Sequence, residues 1–155
     1  MRLLLLLAVL ALAAAPASAQ DFSAAANFGS VDLDEYFTPD PHSVDLVAGG
    51  STTPDVDGCE FGAISDAPDY KVSYDTEGNQ DLVIYVTSAD DTTLLVNLPN
   101  GTWACDDDSY SMSEGDGDPL LIFSGAASGR YDIWVGTYGG GTAEATLHIS
   151  EVDPR

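Results

Sequence analysis

The 155-residue chain is predicted to be all-β, an antiparallel, jelly-roll-like β-sandwich of about eight strands, and three observations carry that prediction. Apolar and polar residues alternate with a period of two over many short stretches, and no stretch after residue 19 sustains the helical period. Turn sequences rich in Gly, Asp, Asn and Pro separate those stretches at nearly even intervals. The stretch 91–108 then condenses the pattern: a buried-strand run, an Asn-Gly turn, a return strand carrying Trp103, Cys105, and three carboxylates in a row.

In chain order, Arg2, an apolar run over 3–15 and the small-x-small sequence Ala17-Ser18-Ala19 read as a secretory signal peptide, residues 1–19, cleaved after Ala19. The apolar run is shorter than the roughly 20 residues a membrane span needs. A secreted or periplasmic protein is therefore expected, with no membrane insertion after signal cleavage. Residues 20–41 have low apolar density and end in Thr38-Pro39-Asp40-Pro41, where the prolines remove backbone donors and favour extended chain. They read as an N-terminal arm or linker, with an edge strand at its end left open.

The sandwich domain is expected over 42–151, followed by a tail at 152–155. A short strand over 43–48 stops at Gly49-Gly50. The segment 51–69 is a loop, turned at Asp57-Gly58 and pinned to the core by Cys59 and Phe61. Tyr70, Val72 and Tyr74 alternate with Lys71, Ser73 and Asp75, which is a half-buried strand. Glu77-Gly78-Asn79 turns the chain into a strand with Leu82, Ile84 and Val86 facing in. Asp90-Asp91 turns it again into 92–98, and Asn100-Gly101 predicts a two-residue type I′ hairpin into the return strand. An apolar run covers 119–124. After Ser128-Gly129, residues 130–137 place Tyr131, Ile133 and Val135 on one face and Trp134 on the other. Beyond Gly139-Gly140-Gly141, the residues Ala143, Ala145, Leu147 and Ile149 alternate inward.

Charge narrows the partners. The chain has 26 Asp and Glu against 4 Lys and Arg, a formal net charge of −22. Such a surface repels phosphate backbones and anionic lipid, so nucleic acid is not an expected partner. Cations and basic protein patches remain, and simple solvation accounts for many of the carboxylates. Two cysteines in an exported chain predict one disulfide, Cys59 to Cys105. It would close a loop of about 46 residues, worth roughly 4 kcal/mol on the chain-entropy model.

Several segments also resemble a known family. Tyr70-Lys-Val-Ser-Tyr before a glycine turn, Asp81-Leu-Val-Ile-Tyr-Val-Thr-Ser and Asp91-Thr-Thr-Leu-Leu-Val-Asn-Leu-Pro-Asn-Gly-Thr are similar to the bacterial pre-peptidase C-terminal domain. Trp103-Ala-Cys-Asp-Asp-Asp and Ser128-Gly-Arg-Tyr-Asp-Ile-Trp-Val-Gly extend the likeness, which runs over about 43–150. The resemblance implies an eight-stranded jelly-roll-like sandwich, appended to secreted proteases and other hydrolases and not itself catalytic. Related collagen-binding modules use calcium. The chain departs from the pattern in carrying no protease segment and in having Asp118 where Asn is expected.

No enzyme is expected. His42 lies in the Pro-rich arm, His148 is on the outward register of the last strand, and Ser128 between glycines lacks the nucleophile-elbow spacing. Trp103, Trp134, Tyr110 and Tyr138 are either core or an aromatic platform for sugar or peptide. Trp134 and Tyr138 are the candidate ligand-binding residues, since Ile133 and Val135 already face the core. Asp106, Asp107 and Asp108 are the candidate calcium ligands, with Glu114, Asp116 and Asp118 nearby. Tyr110 and Ser111 stand where an EF-hand needs a ligand and a glycine, so that motif is excluded. Two readings follow: a non-catalytic exported binding or accessory module, calcium-stabilised, that recognises a protein or polysaccharide, or an acidic structural module with no dedicated ligand.

Overall fold

The computed structural model describes residues 20–110 and 117–155; the expected signal peptide and the loop acids Glu114 and Asp116 lie outside the described residues. Nine strands form: β1 (Ser30–Asp34), β2 (His42–Gly50), β3 (Tyr70–Asp75), β4 (Leu82–Ser88), β5 (Thr92–Asn97), β6 (Trp103–Asp106), β7 (Leu120–Phe123), β8 (Gly129–Thr137) and β9 (Gly141–Ser150). No helix forms among the described residues. The eight stretches read as strands correspond to β2 through β9, and β1 is an added edge strand formed by residues of the arm.

The strands make two sheets, in the orders β1-β3-β8-β5-β6 and β2-β9-β4-β7, so the protein is an all-β sandwich. Pairing is antiparallel throughout except at β1, which runs parallel to β3 with Ser30 opposite Lys71 and Asp34 opposite Asp75. The physical reason is the connection: between β1 and β3 the chain crosses to the other sheet as β2 and returns through the 51–69 loop. A crossover of that kind delivers a parallel pair.

The inward residues of both sheets meet in one core that includes Val72, Ile84, Leu94, Ile133, Val135 and Leu147, all buried. Each such aliphatic side chain contributes about 1.5–3 kcal/mol relative to exposure. Strand β8, like β4 and β5, is buried on both faces. Its outward residues Asp132 and Trp134 are 1% and 0% exposed, like the inward Tyr131 and Ile133. The 51–69 loop provides the cover. It bridges Thr52 to Ile64 and Ala63 to Thr137, and it lays Val56, Cys59 and Ile64 on Leu95 and Trp134. Phe61, expected to help pin this loop, is half-buried and stands outside that cluster. Cys59 is bonded to Cys105 of β6, with a Cα–Cα distance of 5.9 Å.

The turn between β5 and β6 differs from the expected type I′ hairpin. A type I′ turn needs positive φ at both central residues, yet Tyr36 alone among the described non-glycine residues has one. Pro99 is locked at negative φ and fits the second position of a type I turn. Gly101 N–H then donates to the Leu98 carbonyl at 2.8 Å, and Gly101 takes φ +81° as the bulge residue. Leu98 N–H closes the hairpin on the Thr102 carbonyl at 2.8 Å.

One buried carboxylate ties the cover to the sheet. Asp69, 1% exposed, accepts from Val135 N–H at 2.8 Å through Oδ2. Its Oδ1 accepts from Asn27 Nδ2 of the arm at 3.0 Å and faces Ser65 Oγ of the loop at 3.1 Å. Burial pushes its pKa up to about 6, against the opposing pull of those three hydrogen bonds. Ser65 has one hydroxyl proton and can give it to the Ala67 carbonyl, 2.7 Å away. A protonated Asp69 then donates to Ser65 Oγ, so the network accommodates the neutral acid.

The folded-state pKa of Asp69 lies above its unfolded value. Its contribution to stability is therefore complete below pH about 4 and is lost as pH rises through about 6. Asp69→Asn removes this dependence. The stability advantage of wild type over the variant, from urea titrations, should be larger at pH 4 than at pH 7.5 by roughly 3 kcal/mol. An equal advantage at both pH values would assign Asp69 an ordinary pKa.

The disulfide spans 46 residues of sequence. Replacing both cysteines by serine should lower the unfolding free energy by about 2–5 kcal/mol in denaturant titrations. A loss well below that would mean that packing of Ile64 and Val56 holds the loop without covalent help.

Candidate functional site

The acidic end is organised differently from the run of three aspartates in sequence. Asp106 ends β6 and turns its carboxylate onto its own loop. Oδ2 accepts from Ser109 N–H at 2.9 Å and Leu120 N–H at 2.8 Å, and Oδ1 accepts from Ser109 Oγ at 2.6 Å. Those bonds clasp β6 to β7. Burial, then the charges of Asp108 and Asp106, raises the pKa of Asp107. Asp91, read from sequence as part of a turn, belongs to this end as well: burial, then Asp108, Asp107 and Asp118, raises its pKa. The β5–β6 register brings it there, with Leu94 opposite Asp106, and Thr92 N–H accordingly reaches the Gly117 carbonyl at 3.1 Å. Among the described residues, no group of three or more His, Cys, Asp or Glu is disposed to hold a metal ion.

Trp134 does not line a surface. It is 0% exposed, beneath the 51–69 loop, with its ring 5.4 Å from that of Trp103. Its Nε1–H has no acceptor among the described residues. An unpaired buried N–H costs about 1–3 kcal/mol, and burying roughly 200 Å² of indole contributes about 5 kcal/mol, so packing prevails. The sequence placed Trp134 on the correct face of β8 but could not show the loop that closes over it. Tyr138 is 54% exposed, but it sits at the acidic end, where its N–H donates to the Asp91 carbonyl at 3.0 Å. The structure therefore does not bring Trp134 and Tyr138 together as a binding surface.

An open hollow of about 430 Å³ lies on the outer face of the five-stranded sheet, and no residue of the 51–69 loop lines it. Its lining includes Phe22, Asn97, Pro99, Trp103, Arg130 and Asp132. Asp132 is 1% exposed, and its Oδ2 accepts from Arg130 Nε at 3.0 Å. Lys71 Nζ lies 3.5 Å from Asp132 Oδ1 and also donates to the Phe22 and Ala24 carbonyls, which holds the arm against the sheet. Two of the chain's four basic residues thus attend one buried carboxylate. The Arg130 side chain is 51% exposed, and its two Nη groups make no hydrogen bond among the described residues. The hollow is firmly backed: a side chain on Gly129 would meet Pro99 Cβ at 2.6 Å, so the 98–101 turn and the start of β8 close on each other. Sequence reasoning missed this site because its aromatic, basic and amide groups come from four separate segments. The small number of basic residues was the available signal.

The register of β2 on β9 pairs Ser43 with His148. Ser43 Oγ is 2.8 Å from His148 Nδ1, Thr87 Oγ1 is 3.0 Å from Nε2, and Tyr85 stacks on the imidazole at 4.5 Å. Burial lowers the histidine's pKa. This serine–histidine contact lies on the outer face of the four-stranded sheet. Acyl transfer also needs oxyanion donors and a cleft, and neither Ser43 nor His148 lines the hollow above. His42 is tied instead to Tyr70, with Nε2 3.0 Å from the phenol oxygen.

Mutual repulsion among Asp91, Asp107 and Asp108 predicts a stabilising substitution. Asp108→Asn should raise the unfolding free energy by about 0.5 kcal/mol at neutral pH and low salt, with the gain shrinking in molar salt. The raised pKa values of Asp91 and Asp107 mean that their contribution is lost as pH rises, so the gain should also shrink as pH falls and these two carboxylates take up protons. Paired thermal melts check this; a destabilised variant would show the cluster to be held by favourable contacts.

No protein-family model and no curated protein matches the chain. Among solved structures it is similar to PliG of Aeromonas hydrophila, a periplasmic lysozyme inhibitor of g-type lysozyme. The identity is 16%, covering 79% of this chain and 96% of that one, with a TM-score of 0.41. A likeness at this level carries no functional argument.

Proposed function

We propose that the protein is a non-catalytic exported binding module, of the kind its strand sequences resemble, which recognises a protein or polysaccharide through the outer face of its five-stranded sheet. The observation that carries this reading is the hollow between Phe22, Trp103 and Arg130. Folding accounts for Arg130 Nε, which answers buried Asp132, but not for the two Nη groups, which make no hydrogen bond among the described residues and lie beside exposed aromatic surface. Aromatic bodies flanked by a few polar groups are the usual make-up of a recognition site.

A second reading, an acidic structural module without a dedicated ligand, is favoured by the burial of Trp134. The expected calcium fits either reading, as relief of the repulsion at Asp91, Asp107 and Asp108.

The experiment compares wild type with a Phe22→Ala/Arg130→Lys variant on immobilised cell-envelope polysaccharides and secreted proteins. The binding reading expects at least a tenfold loss of the wild-type interaction, with melting temperature preserved. On the structural reading the variant changes no interaction. On either reading, ~10 mM calcium is expected to raise the melting temperature by about 3–6 °C more than sodium at matched ionic strength.

A further inference from the structure

The chemistry of the hollow narrows its ligand, and this step rests on the binding reading above. The geometry points to a neutral saccharide, a short run of uncharged pyranose rings, seated between Trp103, Phe22 and Arg130. Charge removes the alternatives first. A cation would face the half-exposed Arg130 guanidinium. An anion must approach a chain of formal charge −22, and it finds an arginine paired with Asp132 at 3.0 Å. The adjoining hollow, which shares Ser128, Gly129 and Arg130, is walled by Asp32, Asp34 and Asp75, so the approach to Arg130 is acidic as well.

What remains attractive to an uncharged ligand is complementary in kind. Phe22 is 47% exposed and Trp103 partly so; both offer apolar ring faces suited to the C–H face of a sugar. Arg130 Nη groups, without a hydrogen bond among the described residues, can donate to hydroxyls. Asn97 Nδ2 makes a 3.4 Å contact with the Thr102 carbonyl, and its Oδ1 accepts no hydrogen bond among the described residues. A purely apolar ligand would leave those polar groups unanswered, at a cost that hydroxyls avoid. The site is also preformed. Trp103 sits against Trp134 and is next but one to the disulfide at Cys105, and the arm bearing Phe22 is held by Lys71 through its backbone carbonyl. Little ordering is needed on binding.

The test uses the exported, processed protein labelled with ¹⁵N. Its two tryptophans supply one indole cross-peak each, from Trp103 at the hollow and buried Trp134. Cello-, malto- and N-acetylchito-oligosaccharides are titrated to millimolar concentration, with an oligogalacturonate and an uncharged tripeptide alongside. The expected result is a saturable shift of the Trp103 indole with at least one neutral saccharide, with affinity reduced fivefold or more in both Phe22→Ala and Arg130→Lys. Phe22→Ala leaves the backbone carbonyl that Lys71 holds, and Arg130→Lys keeps a cation beside Asp132, so both variants should fold. A response to galacturonate or peptide without one to any neutral sugar overturns the saccharide assignment and leaves the binding reading standing. No response at Trp103 to any of the probes overturns both. A neutral-sugar response that both variants retain in full places binding elsewhere and overturns the site.

Discussion

A central strand buried on both faces sets the requirements for the rest of the molecule. Tyr131, Ile133 and Val135 of β8 close the core between the sheets, while Asp132 and Trp134 are equally buried on the other side. A two-layer sandwich covers only one face of each sheet. The outward face of β8 therefore needs a further layer, and the chain makes it from irregular segments: the 51–69 loop over Trp134 and the 20–28 arm beside Asp69 and Lys71. Irregular segments make few regular hydrogen bonds and must be fastened individually. The Cys59–Cys105 bond, the Thr52–Ile64 and Ala63–Thr137 bridges and the Asp69 network do that fastening.

Two carboxylates lie under or beside this cover, and they are accommodated by different means. Asp69 is surrounded by neutral donors, so desolvation prevails and its pKa rises. Asp132 is met by Arg130 and Lys71, in a chain that has just four basic residues. Placing two cations on one acid is costly in such a composition unless the acid is deeply buried, as Asp132 is. Their location also explains the hollow. Lys71 is consumed by the arm and Asp132, whereas Arg130 answers Asp132 with one nitrogen and keeps the rest of its guanidinium at the surface.

The two ends of the five-stranded sheet consequently have opposite characters. At the end bearing Asp91, Asp107 and Asp108, burial and then neighbouring carboxylates raise the pKa of Asp91 and Asp107, which is a source of instability. At the end bearing Phe22, Trp103 and Arg130, two cations share one buried carboxylate and aromatic surface is left open. Recognition of an uncharged ligand suits the second end.

Local sequence determined strands β2 to β9, the face each of their residues takes and the covalent staple. Period-two alternation is a property of the backbone pleat, so Leu82, Ile84 and Val86 could be assigned inward from spacing alone. Trp134 was assigned outward on the same grounds, correctly as to face. Its burial was not legible, because the covering residues Val56 and Ile64 lie in a loop without periodicity, about 70 residues away or more. The same limit hid Asp91 from the acidic end and Ser43 from His148, since register between distant strands sets those contacts. Pro99 decided the hairpin type against the stronger-looking Asn-Gly pair, through its fixed φ. The hollow belongs wholly to tertiary structure: Phe22, Asn97, Trp103 and Arg130 share no motif and meet because the arm, the β5–β6 hairpin and β8 converge on one sheet face.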